Sequence, residues 1–204
     1  MRVILLGPQR RPTVDAVVRS LGSLAGPFAT VTAGWQEREA DDGELRDMGR
    51  RVISALGIGT SATHMEWFFG PKGLKFSEIG CRPPGVGAWD LYSQGNDLDL
   101  YRVWADCIVH GGTGAVPSRR FASGIVALRP SQDGTISGYS GVDELQRAFG
   151  EWVIDAHLPP PGTPTQPVEA GYMANAYVRM RHPDYDVLHD MLDTVGRTLH
   201  VYAS

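Results

Sequence analysis

Residues 63–82 carry the feature that most constrains the fold. Two apolar, strand-forming runs, Thr63–Phe69 and Leu74–Ile79, flank Gly70-Pro71-Lys72-Gly73. Turn residues set between two such runs predict an antiparallel hairpin. Alternate side chains of a strand share a face, so His64, Glu66 and Phe68 form one row and Phe76, Glu78, Gly80 and Arg82 another. Whether the two rows coincide depends on the turn. Simple pairing across 70–73 sets Glu66 opposite Ser77 and sends Glu78 to the far face. One extra residue, expected as a bulge at Gly70 or Gly73, brings Glu66 and Glu78 side by side. Adjacent buried carboxylates repel, and a cation between them removes the repulsion; oxygen donors suit Mg²⁺. Arg82, two residues past Glu78, stands where it could hold a phosphate oxygen bidentately. A structural salt-bridge cluster accounts for the same trio equally well.

Elsewhere the pattern is mixed. Val3–Leu6 reads as a buried strand, Thr13 as the cap of a helix through Leu21, and Phe28–Thr32 as a second strand. That order resembles the opening of a doubly wound sheet, a short Rossmann-like βαβ segment. An acidic stretch from Glu37 to Asp47 follows, read as a solvated helix face or linker. From Met48 the character changes, which suggests a segment 1–47 and a main part 48–204. In the main part helices are expected at Arg50–Leu56, Leu98–Ile108, Asp143–Phe149 and Tyr185–Leu199, with strands at Ser123–Leu128, Trp152–Ala156 and Ala174–Met180. The last helix places Leu188, Met191, Leu192 and Val195 on one apolar face. The fold class is therefore α/β, with an α+β main part.

Composition narrows the function. Net charge is −4 with no basic run, which argues against a nucleic-acid partner. No run approaches the roughly 18 apolar residues of a membrane span, and the apolar start is too short for a signal peptide, so a cytoplasmic location is expected. Two cysteines, Cys81 and Cys107, are too few for a disulfide framework or a zinc site. The 25 glycines and 14 prolines exceed ordinary usage and gather in a few loops, among them the hairpin turn and Pro83–Gly87.

The run Ala55–Phe69, followed by Ser77-Glu78-Ile79-Gly80-Cys81-Arg82-Pro83-Pro84-Gly85, resembles the C-terminal catalytic lobe of ATP-grasp ligases. The resemblance extends over about 48–202, including the Arg129-Pro130 to Ile136 turn and the closing helix. It implies a mostly antiparallel sheet with flanking helices, and use of ATP with Mg²⁺ (or Mn²⁺) to join a carboxylate to an amine through an acyl-phosphate. Matched residue by residue, Glu66 and Glu78 are the metal carboxylates, and Arg82 steadies the transferring phosphoryl group as the catalytic arginine. Pro83, Pro84, Gly85 and Gly87, with Trp89 behind them, line the acceptor site. His64 is a cofactor-side candidate, although a hydrogen-bonded histidine beside a carboxylate is the plainer reading. Gly80 stands where such ligases usually carry asparagine, so one metal or phosphate contact is lost or passes to water.

The family also needs a nucleotide-clamping lobe with a lysine and a glycine-rich lid. Between Ala33 and Glu66 there is no lysine and no such lid, so the expectation is half of an ATP-grasp enzyme, its missing lobe covered by a second copy or a partner chain. A non-catalytic remnant or binding module is the alternative. Leu5–Arg10 and Thr30–Glu39 resemble the first βαβ of glutamine-amidotransferase-like proteins of the peptidase E type, without reaching that family's nucleophile. Among single residues, Cys81 is expected to be small and buried, Asp97 and Asp99 to cap the following helix, and Tyr172 and Asn175 to lie near substrate.

Overall fold

A computed structural model describes residues 28–33, 39–70, 72–85, 87–167 and 175–204. In chain order its elements are β1 (Phe28–Ala33), α1 (Glu39–Ala55), β2 (His64–Gly70), β3 (Gly73–Gly80), α2 (Ala88–Asn96), α3 (Leu100–His110) and β4 (Ala122–Leu128). They continue with β5 (Ile136–Ser140), α4 (Val142–Phe149), β6 (Val153–His157), β7 (Ala176–His182), α5 (Tyr185–Thr198) and β8 (His200–Ala203). The strand and helix expected before Phe28, the Gly7–Arg10 turn and Tyr172 lie outside the described residues. The described residues divide into two compact units, 33 and 39–120 in one, 28–32 and 121–204 in the other.

In the first unit the acidic stretch is helical. α1 begins at Glu39, well before the expected Arg50, and keeps Glu44, Arg46, Asp47, Arg50 and Arg51 exposed. Arg50 and Asp47 pair at 3.0 Å one turn apart, an exposed contact of small energetic weight. β2 and β3 then form the antiparallel hairpin, and α1 packs against β3. α2 is an element the apolar spacing does not announce. It ends at Asp97, whose φ of 51° is left-handed, and Asp97 Oδ2 accepts from Ser118 Oγ at 2.8 Å. Asp97 is thus the C-cap of α2 and not a cap of the next helix. Asp99 does cap α3, accepting from the Arg102 backbone N–H at 3.1 Å. Buried Asn96 accepts from Arg119 N at 3.2 Å and donates to Tyr92 O at 2.9 Å, tying residues 118–120 to the end of α2. Burial raises the Tyr92 phenol above its usual value of 10.0, with Arg119 pulling the other way. A raised folded value means that this contribution is complete below the unfolded value and is lost as pH rises through the folded one. Burial raises the Tyr139 phenol as well, so ultraviolet titration should find late-ionising tyrosines, of which Tyr92→Phe removes one.

The second unit holds a four-stranded sheet in the order β1-β4-β7-β6, with antiparallel β4–β7 and β6–β7 ladders. Val126 faces Val178 and Leu128 faces Ala176 across the β4–β7 ladder. These side chains meet Leu188, Met191, Leu192 and Val195 of α5, all at most 5% exposed, as the helical spacing predicts. Ile136 and Val201 join the same core from β5 and β8. Asp184 caps α5 by accepting from Asp186 N and Val187 N, which satisfies two first-turn donors.

Gly141 is tightly constrained. Gly141 has φ of 85°, and an added Cβ would sit 2.3 Å from the Thr198 carbonyl oxygen at the end of α5. Gly141→Ala combines left-handed strain with a backbone clash, and should lower unfolding free energy by about 2–3 kcal/mol. A urea melt with unchanged slope checks it.

Candidate functional site

Glu66 and Glu78 are direct Cα partners across the hairpin. The expected extra residue is present, but at neither glycine. Gly70 pairs with Gly73, Phe68 with Lys75 and Trp67 with Phe76; then the register slips, so Ser77 is the bulged residue. The slip corrects the strict alternation along β3. Phe76 joins Trp67 on one side of the ribbon, their rings 5.4 Å apart and edge to face, while Glu78 and Gly80 stand opposite Glu66 and His64 on the other. Without the bulge Glu66 would meet Ser77 and the carboxylates would part.

The two carboxylates differ in environment. Glu66 is 4% exposed, whereas Glu78 is exposed, so they are not the buried pair the sequence suggests. Glu66 Oε1 lies 3.8 Å from His64 Nε2, beyond hydrogen-bond length, and neither atom has a hydrogen-bond partner among the described residues. A buried carboxylate oxygen without a donor costs several kcal/mol at worst and calls for a compensating group. Among the described residues no three acidic, histidine or cysteine side chains converge on one point. The donor set fits a hard cation that takes one or two protein carboxylates and draws its other ligands from water and phosphate, the habit of Mg²⁺.

Arg82 lies two residues past the end of β3 and is exposed. Its stem folds over Gly80, where an added Cβ would touch Arg82 Cγ at 3.4 Å and Nε at 3.5 Å. One guanidinium nitrogen donates to Pro83 O at 2.9 Å, leaving further donors for a ligand. Pro83, Pro84 and Gly85 are half-buried, and Gly87, with φ of 65°, leads into α2. Trp89 belongs to the first turn of α2 and not to the loop. It packs edge to face with Tyr101 at 5.1 Å and Trp104 at 5.5 Å. Cys81 is exposed, contrary to the buried thiol expected, because the strand has ended there. Asn175 is structural in its contacts, accepting from Gln166 N at 2.6 Å. The residue that sequence reasoning misses is Ser77, since an ordinary polar strand residue carries no mark of a bulge.

Solved structures similar to this chain include a ligase and two synthetases. L-Amino acid ligase from Bacillus licheniformis matches with a TM-score of 0.70 and 15% identity, over 86% of this chain and 44% of that one. Phosphoribosylglycinamide synthetase from Anaerococcus prevotii matches at 0.64 and 10% identity, over 86% and 45%. N5-carboxyaminoimidazole ribonucleotide synthetase from Thermotoga maritima matches at 0.63 and 16% identity, over 86% and 46%. The chain thus spans under half the length of each. No protein-family model matches the sequence, and no curated protein does. No described helix is long and apolar enough to cross a membrane. Over 86% of its length this chain shares the fold of part of each of these enzymes, which agrees with the fold that the resemblance to ATP-grasp ligases implies.

Proposed function

We propose that this chain is the metal- and phosphoryl-handling lobe of an ATP-dependent carboxylate–amine ligase. The observation that carries the reading is the Glu66–Glu78 register, set by the Ser77 bulge, with a buried Glu66 oxygen that has no hydrogen-bond partner among the described residues. Glu66 and Glu78 would hold Mg²⁺, the buried carboxylate anchoring it and the exposed one meeting it at the rim. The ion, when bound with ATP, supplies charge neutralisation on the phosphates as a phosphoryl group passes to a substrate carboxylate. Arg82 contributes a cation of fixed charge whose planar fork holds phosphoryl oxygens and steadies the charge that builds during transfer. The Pro83–Gly87 loop, with glycines that admit close backbone approach, shapes the side where the acceptor amine and the activated carboxylate meet. The amine nitrogen then attacks the acyl carbon and displaces inorganic phosphate, so the carbon–nitrogen bond forms as the carbon–oxygen bond to phosphate breaks and the amine gives up a proton. The surface that clamps the nucleotide is assigned to residues beyond this lobe or to a second chain, and the site of action to the cytoplasm.

The test is calorimetric titration of Mg²⁺-ATP into the wild-type chain and into Glu78→Gln. Wild type should bind, and the variant should weaken binding on the order of tenfold, with the melting temperature held because Glu78 is exposed. Unchanged affinity in the variant overturns the assignment of Glu78. No binding of Mg²⁺ or Mn²⁺ by wild type at millimolar metal, with or without ATP, favours the non-catalytic binding module instead.

A further inference from the structure

We propose that Gly80 is a positioning residue: it seats the Arg82 side chain on the face of the hairpin that carries Glu66 and Glu78. The inference rests on the reading of Arg82 as the cation that holds the phosphoryl group, and deepens it. Glu78 and Gly80 are the ladder partners of Glu66 and His64, so a side chain at 80 would project on the carboxylate face. Arg82 occupies that room. Its Cγ, Nε and Cζ lie 3.4, 3.5 and 3.9 Å from where a Cβ at 80 would stand. At its far end Arg82 Nη1 donates to the Pro83 carbonyl oxygen at 2.9 Å. The stem is thus laid over a bare backbone position and the head is tied to the following residue, while the other guanidinium N–H groups remain for a ligand.

Such a seat matters because Arg82 is exposed, so burial does not hold it. An arginine with free rotamers loses that freedom when it closes on an anion, whereas one already laid in place loses less. The size of the gap sets the rule for position 80. A lone Cβ would meet Arg82 at ordinary contact distance, so alanine fits. Valine adds two γ-carbons, which fill two of the three staggered directions and reach into the Arg82 stem. Gly80 closes β3 and is not among the glycines of positive φ, so neither substitution strains the backbone.

The experiment compares Gly80→Ala with Gly80→Val, each alone and combined with Arg82→Ala. The heteronuclear NOE of the Arg82 Nε–Hε group, assigned by its disappearance in Arg82→Ala, should be high in wild type and in Gly80→Ala and low in Gly80→Val. Mg²⁺-ATP affinity, read by calorimetry, should fall about fivefold or more from Gly80→Ala to Gly80→Val, and this difference should vanish in the Arg82→Ala background. Valine suits a strand, so Gly80→Val should fold; should it not, the wild-type NOE still decides whether Arg82 is held. A low NOE in wild type, or a high one in Gly80→Val, overturns the proposal. A loss of affinity of the same size with and without Arg82 also overturns it, since position 80 would then act by itself. Absence of Mg²⁺-ATP binding by wild type overturns the reading of the site, and the NOE pattern alone then decides for or against the seating of Arg82 by Gly80.

Discussion

Glu66→Gln should lower divalent-metal affinity on the order of 100-fold, which is about 2.7 kcal/mol, and leave the fold intact. Glutamine keeps the shape of the side chain but carries no charge, and its amide nitrogen presents donors where a cation needs an acceptor. In the metal-free chain the effect on stability should have the opposite sign. The Glu66 carboxylate is 4% exposed and its Oε1 has no hydrogen-bond partner among the described residues. Removing an uncompensated buried charge relieves desolvation, so the variant should be as stable as wild type or more so by about 1 kcal/mol. Parallel calorimetry with Mn²⁺ and chemical denaturation without it separate the two effects. A variant that binds metal normally, or one destabilised by more than about 2 kcal/mol without metal, would make Glu66 a structural residue.

The largest stability effect expected from a single side chain lies in the second unit. Leu192 of α5 is fully buried in the cluster formed with Val126, Val178 and Met180. Leu192→Ala removes apolar atoms from a site lined by two β-strands and a helix, which collapse poorly into the space left. The cost should be about 3–4 kcal/mol, large against the stability of an ordinary domain. Differential scanning calorimetry measures it, and a loss below about 1 kcal/mol would mean that the helix does not pack on the sheet as described. The same variant should leave the metal affinity unchanged, since Glu66 and Glu78 belong to the other unit.

Much of this was legible because it rests on periodicity. The apolar face of α5 repeats at helical spacing, and all four residues assigned to it are buried. The hairpin was legible from its turn residues, and β4 from a dense apolar run. The bulge was legible as a requirement but not as a place. Glycine tolerates the left-handed backbone that many bulges use, which points to Gly70 or Gly73. Those two residues instead pair with each other, and the slip falls at Ser77, where Phe76 joins Trp67 on one face and Glu78 joins Glu66 on the other, although Phe76 and Glu78 stand two positions apart along β3. That is a tertiary demand with no local signature. α2 was missed for a related reason: Ala88 and Leu91 alone mark its buried face, and Gly95 near its end argues against a helix. β5 and β8 are short and include Gly138, so their pairing depends on residues some 60 positions apart. The Rossmann-like opening and the peptidase E resemblance fall largely on residues outside those described.

The central claim is that the face of the hairpin carrying His64, Glu66 and Glu78 binds a divalent ion. Crystals of the chain grown with MnCl₂ and measured at the manganese absorption edge test it most directly. The account predicts an anomalous peak beside Glu66 Oε1, within coordination distance of a carboxylate oxygen, and loss of that peak in Glu66→Gln. Anomalous density confined to other positions, with none at Glu66 under saturating Mn²⁺, would contradict it.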